Sequence, residues 1–128
     1  MKRTIFLNIM LIVLFSGFLG NAQTGNKTKL EAYYFHNATR CVTCKTVESE
    51  AKTILKELYG DNITFQSLNL EDKTTKELAK KLKVSGQTLL VVNGSKKVNL
   101  TNDGFLYAVT NPDKFKSVIK TKVDPLVN

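Results

Sequence analysis

The stretch that decides the fold runs Leu30-Glu31-Ala32-Tyr33-Tyr34-Phe35-His36, then four residues on Arg40, then Cys41-Val42-Thr43-Cys44-Lys45. Its first seven residues are short, aromatic and β-prone, and predict a strand. From Cys44 the apolar period lengthens. Val47, Ala51, Ile54, Leu55 and Leu58 recur at helical spacing, with Lys45, Glu48, Glu50, Lys52 and Lys56 mostly on the other faces. Gly60 supplies the stop. The only two cysteines of the chain therefore fall where a strand hands over to the first turn of a helix.

That position has chemical consequences. The first turn of a helix leaves backbone N–H groups without partners and carries partial positive charge, which favours a thiolate over a thiol. Arg40 and Lys45 flank the pair and add to the effect. Such surroundings lower a cysteine pKa from ~8.5 into a range of roughly 3.5–7.5. Cys41, at the helix tip, is expected to be the exposed attacking thiol. Cys44, one turn deeper, is expected to resolve the mixed disulfide. The plainer alternative is a structural disulfide or two idle thiols, against which the redox spacing at this junction weighs.

The segment from Phe35 to Lys45 resembles the active-site segment of the thioredoxin superfamily. The rest of the chain agrees with that resemblance. Ile63 to Leu70 begins with period-two alternation and reads as a second strand, closing a right-handed βαβ unit with parallel strands. Thr74-Thr75-Lys76-Glu77 is a capping-box pattern, opening a helix that turns Leu78, Ala79 and Leu82 inward. Thr88 to Val92 is a continuous apolar run, as expected of a strand covered on both faces. Asn93-Gly94 is a hairpin turn, and Lys97 to Leu100 is the returning partner, with Val98 and Leu100 inward. Phe105, Leu106 and Val109 predict a short helical piece. Asn111 and Pro112 open a last helix with Phe115, Val118, Ile119 and Lys122 on one side, and Asp124-Pro125 is its expected end. The fold class is α/β: a thioredoxin-like, four-stranded mixed sheet in the order β-α-β-α-β-β-α, with helices on both faces.

The resemblance spans residues 30–122, leaving 123–128 as a C-terminal tail. It implies a thiol–disulfide oxidoreductase with no cofactor beyond its redox-active disulfide, acting on protein or small-molecule thiols and disulfides as a monomer. Three departures bear on mechanism. The family carries a cis-proline in the loop before its central strand; Gln87 stands there in Val84-Ser85-Gly86-Gln87-Thr88 and is expected to be trans, offering an amide to a ligand or serving as a plain loop residue. The family's buried acid on the strand before the cysteines corresponds to a place near Phe35, which does not titrate, and Glu31 is a poor substitute. The aromatic residue that usually precedes the first cysteine is replaced by Arg40. The pattern Phe-His-x-x-x-Arg-Cys-x-Thr-Cys, together with export, also resembles small thioredoxin-like proteins encoded beside arsenic-resistance genes, the ArsF type.

His36 is the only histidine, five residues before Cys41. It reads as a proton carrier, as a third ligand beside two thiolates, or as a strand-end residue satisfying local hydrogen bonds. The second function to weigh is thus a binding module in which Cys41, Cys44 and His36 hold copper(I), zinc or trivalent arsenic. A third is a partner subunit of an arsenic-resistance or electron-transfer system.

The N-terminus bears on compartment. Lys2 and Arg3 precede an apolar run from Ile5 to Leu19, and Gly20-Asn21-Ala22 offers the small residues a signal peptidase reads. Residues 1–22 are expected to be a signal peptide and 23–29 a polar linker, placing the domain in the periplasm or outside the cell. An uncleaved segment would be the one route to a membrane, although the run is shorter than the ~20 residues that span a bilayer. Outside the cytosol disulfides persist. Removing the leader leaves 17 basic against 11 acidic side chains, a net charge of +6. The lysines are scattered over helix faces and a hairpin without interleaved aromatics, so no nucleic-acid partner is expected.

Overall fold

The computed structural model describes residues 29–127. The expected signal peptide and nearly all of the expected linker lie outside the described residues. The chain forms β1 (Leu30–His36), α1 (Val42–Tyr59), a 3-10 turn (Gly60–Asn62), β2 (Ile63–Asn69), α2 (Lys73–Lys81), β3 (Thr88–Asn93), β4 (Lys96–Asn99), α3 (Thr101–Tyr107) and α4 (Pro112–Val127). The strands make one sheet in the order β2-β1-β3-β4. β1 and β2 are parallel, with Leu30 opposite Ile63 and His36 opposite Asn69, while β3 is antiparallel to both β1 and β4.

Period-two alternation along β1 divides the interior into two layers. Leu30, Ala32 and Tyr34 point to one face, where Val47, Ala51 and Leu55 of α1 meet Leu89, Val91, Phe115, Ile119 and Val123. Tyr33 and Phe35 point to the other, against Ala79 of α2 and Leu90 and Val92 of β3. β3 is buried on both faces, as its unbroken apolar run requires. Because β3 runs against β1, the start of β3 and the ends of β1 and β4 all lie at one edge of the sheet. The turn into α1 and the segment entering α3 meet there.

Two expectations change, at α2 and α4, and the short helical piece expected at Phe105 and Leu106 is present as α3. α2 opens at Lys73 behind Asp72, whose side chain makes no cap bond, so the Thr74–Glu77 box does not start it. Phe105, Leu106 and Val109 are exposed. The inward residues of this segment are Gly104 and Ala108, because α3 comes so close to α1 that a β-carbon on Gly104 would lie 2.8 Å from Val47 Cγ1. Finally, α4 does not stop at Asp124-Pro125. It runs to Val127 with Pro125 inside it, and Val123 and Leu126 are buried, so residues 123–127 continue the helix onto the core and form no tail. A proline there removes one backbone hydrogen bond at the last turn. The side-chain amide of Asn93 donates to the Leu126 carbonyl, one of the end carbonyls that no helical amide reaches.

Candidate active site

Residues 37–41 carry the chain from the end of β1 to the start of α1, and Cys41 is the N-cap of that helix. Its backbone is extended, and its Sγ accepts a hydrogen bond from the Cys44 amide at 3.0 Å. A sulfur here fills the place usually held by a serine or aspartate oxygen. The first turn of α1 contains no acidic residue to offset the positive helix end. Cys41 and Cys44 are joined in a disulfide with their Cα atoms 5.1 Å apart. Cys41 is exposed, whereas Cys44 is only 8% exposed. Val42, between them, is 82% exposed and Thr43 is exposed too, so the rim of the disulfide is open to a partner molecule.

Beneath Cys44 lies a polar chain that the sequence did not announce. The Tyr34 hydroxyl donates to the Cys44 carbonyl at 2.9 Å. The Gln87 amide donates in turn to the Tyr34 oxygen at 2.6 Å. The Gln87 carbonyl oxygen lies 3.7 Å from Cys44 Sγ. The place under Cys44 therefore belongs to Tyr34, while Phe35 points to the opposite face of the sheet, into the α2 layer. Burial pushes the Tyr34 hydroxyl up from the ordinary tyrosine value, and the bond from Gln87 and the charge of Arg40 partly counter it. Tyr34 is the middle one of three consecutive buried aromatics in β1. The available signal was its register: it shares a face with Ala32 and the underside of α1, and a buried tyrosine hydroxyl has to find a partner.

The remaining expected site residues are placed unevenly. Arg40 is mostly buried and paired with Glu48 of α1, so its charge is shared with a carboxylate and is not held wholly over Cys41. Lys45 is exposed on α1. Gln87 is half-buried and, with no cis peptide bond among the described residues, follows Gly86 in a trans linkage. Gly86 has a φ of 76°, a left-handed turn that brings Gln87 over the cysteine pair. His36 stacks loosely near Tyr34, with ring centroids 6.3 Å apart, and its Nδ1 lies 2.9 Å from the Asn37 carbonyl. Among the described residues no three of His, Cys, Asp and Glu are grouped to hold a metal, and both sulfurs are engaged in the disulfide.

No protein-family model matches the sequence, and no curated protein matches it. Solved structures do. Thioredoxin O2 from Arabidopsis thaliana in its oxidized state superimposes with a TM-score of 0.51 at 20% identity, over 73% of this chain and 75% of that one. Trxlp from Edwardsiella tarda gives 0.51 at 17% identity, over 71% and 82%. Thioredoxin-2, described as a component of malaria parasite protein secretion machinery, gives 0.50 at 19%, over 73% and 82%. The order of strands, the split core and the cysteine pair at the head of α1 agree with these likenesses: this chain has the thioredoxin fold.

Proposed function

We propose that the protein is an exported thiol–disulfide oxidoreductase. One observation carries the reading: an exposed Cys41 at a positively polarised helix end, bonded to a buried Cys44 one turn below. In the reducing direction the Cys41 thiolate attacks a sulfur of a substrate disulfide, and one substrate thiolate leaves and takes up a proton. Cys44 then attacks Cys41 Sγ, the second substrate sulfur leaves, and the Cys41–Cys44 disulfide of this structure is the product. Two electrons pass from the enzyme dithiol to the substrate; oxidation of a substrate dithiol is the same path reversed. The substrates are protein or small-molecule disulfides reached over the open rim at Val42.

The test is insulin reduction by the dithiothreitol-reduced protein beside Cys41→Ser. Turnover that disappears in the variant is the expected result; wild-type protein no faster than dithiothreitol alone would overturn the reading. Export rests on the charged, apolar and small-residue succession of positions 1–22. N-terminal sequencing of the protein recovered from its native compartment should begin at Gln23.

A further inference from the structure

Gln87 stands where the polar groups of the site converge, and its chemistry differs from that of a carboxylate or a proline. An amide both donates and accepts. In the disulfide, Cys44 Sγ carries no proton, so the 3.7 Å approach of Gln87 Oε1 is a contact with no hydrogen in it. Reduction changes this. A Cys44 thiol donates to Oε1 where it stands. For a Cys44 thiolate, rotation of the amide by half a turn presents Nε2–H to the sulfur and Oε1 to the Tyr34 hydroxyl, whose one proton then turns from the Cys44 carbonyl to Oε1. Tyr34 is fully buried between the sheet and α1, so it holds the amide in place in either orientation. The other ionisable groups close by are His36 beside Tyr34, Arg40 with its partner Glu48, and Lys45 next in sequence to Cys44. α3 brings Asp103, which is engaged by Lys122 of α4.

We propose that Gln87 is the hydrogen-bond partner of Cys44 in the reduced protein, that it serves thiol and thiolate alike by turning its amide, and that Tyr34 is the residue that positions it. The bond exists only when the disulfide is open, so it stabilises the reduced form and makes the site a stronger oxidant. The leaving Cys44 sulfur, formed when a thiol donor attacks Cys41 Sγ, is stabilised by the amide before it is protonated.

The experiment uses glutathione as the redox probe, with wild type, Gln87→Leu, Gln87→Glu and Tyr34→Phe. Removing a hydrogen bond of this kind shifts the equilibrium by roughly tenfold. Gln87→Leu is therefore expected to move the equilibrium about tenfold toward the disulfide, about 30 mV for a two-electron couple. Tyr34→Phe should move it the same way by less. In Gln87→Glu the carboxylate opposes a second negative charge, so Cys44 of the reduced protein should form its thiolate at higher pH by absorbance at 240 nm. Urea unfolding of both redox forms supplies the structural control. Gln87→Leu should destabilise the reduced form more than the oxidised one. Equal destabilisation of both forms, with a glutathione equilibrium within twofold of wild type, would overturn the proposal. The inference deepens the oxidoreductase reading, yet the two fail separately: a shifted equilibrium in a protein that never reduces insulin removes only the activity.

Discussion

Gly104 and Val47 face each other across the contact between α3 and α1 with no room for a methyl group, since a β-carbon on Gly104 would lie 2.8 Å from Val47 Cγ1 and 3.5 Å from Phe115 Cζ. Val47 is β-branched and helical, so its side chain has essentially one rotamer and does not swing aside. Gly104→Ala is accordingly expected to lose about 1–3 kcal/mol in urea unfolding, despite the better helix propensity of alanine. Val47→Ala in the same chain should recover part of that loss, which a double-mutant cycle would show as a coupling of the opposite sign.

The difference in exposure between the two sulfurs predicts different adducts. Cys44→Ser leaves the accessible Cys41 with nothing to resolve it, so this variant should accumulate one glutathione per chain, seen as an added mass in intact-protein spectrometry. Cys41→Ser leaves only the buried Cys44 and should label at least tenfold more slowly at the same pH. Equal labelling would show that the two thiols had been assigned the wrong way round.

The last turn of α4 is core. Leu126→Ala should cost about 2–4 kcal/mol, and a chain ending at Lys122 should lose more than that because it also sheds Val123. Thermal unfolding followed by circular dichroism tests both. A truncated chain that melts with the full one would mean that the final turn adds nothing.

Tyr59 donates to Asp124 at 2.8 Å, and Lys120 bonds the other oxygen of the same carboxylate. The bond from Lys120, then that from Tyr59, holds the Asp124 carboxyl below the usual carboxylate range. A group whose folded pKa is depressed contributes stability at pH values above its unfolded pKa, and that stability is lost as the pH falls through the folded value. Asp124→Asn should therefore be less stable than wild type at neutral pH, and the gap should close under acid. The side chain is 40% exposed, so the difference at pH 7 is expected to be below about 1 kcal/mol. A constant gap from pH 7 to pH 2 would remove Asp124 as the cause.

Most of the scaffold was legible because its signals are local. The strand-to-helix step at the cysteines, the unbroken run of β3 and the Asn93-Gly94 turn each follow from residues a few positions apart. So does the Asn111 cap, whose Oδ1 accepts from the Lys114 amide at 3.0 Å. What escaped depends on distance in the chain. Phe105 and Leu106 announced the helix α3 but not its inner face, for which bulk is the usual guide. A close helix crossing reverses that rule, and only the position of Val47, far back in α1, makes Gly104 the inward residue. Pro125 looked like an end, yet Val123 and Leu126 are buried in the core, and Asn93, more than thirty residues earlier, bonds the Leu126 carbonyl. Arg40 was assigned to Cys41 on sequence proximity, yet Glu48 two turns into the helix takes its guanidinium. Tyr34 and Gln87 lie 53 residues apart, and no pattern within either segment announces their bond.

In the proposed exchange the sulfur that caps α1 is also the atom that a substrate must touch. Attachment of anything bulky at Cys41 takes the acceptor away from the Cys44 amide, so a stalled intermediate also frays the start of its own helix. The Cys44 amide proton thereby becomes a gauge of occupancy, slow to exchange with deuterium when the sulfur is bare or bridged and quick when it is loaded.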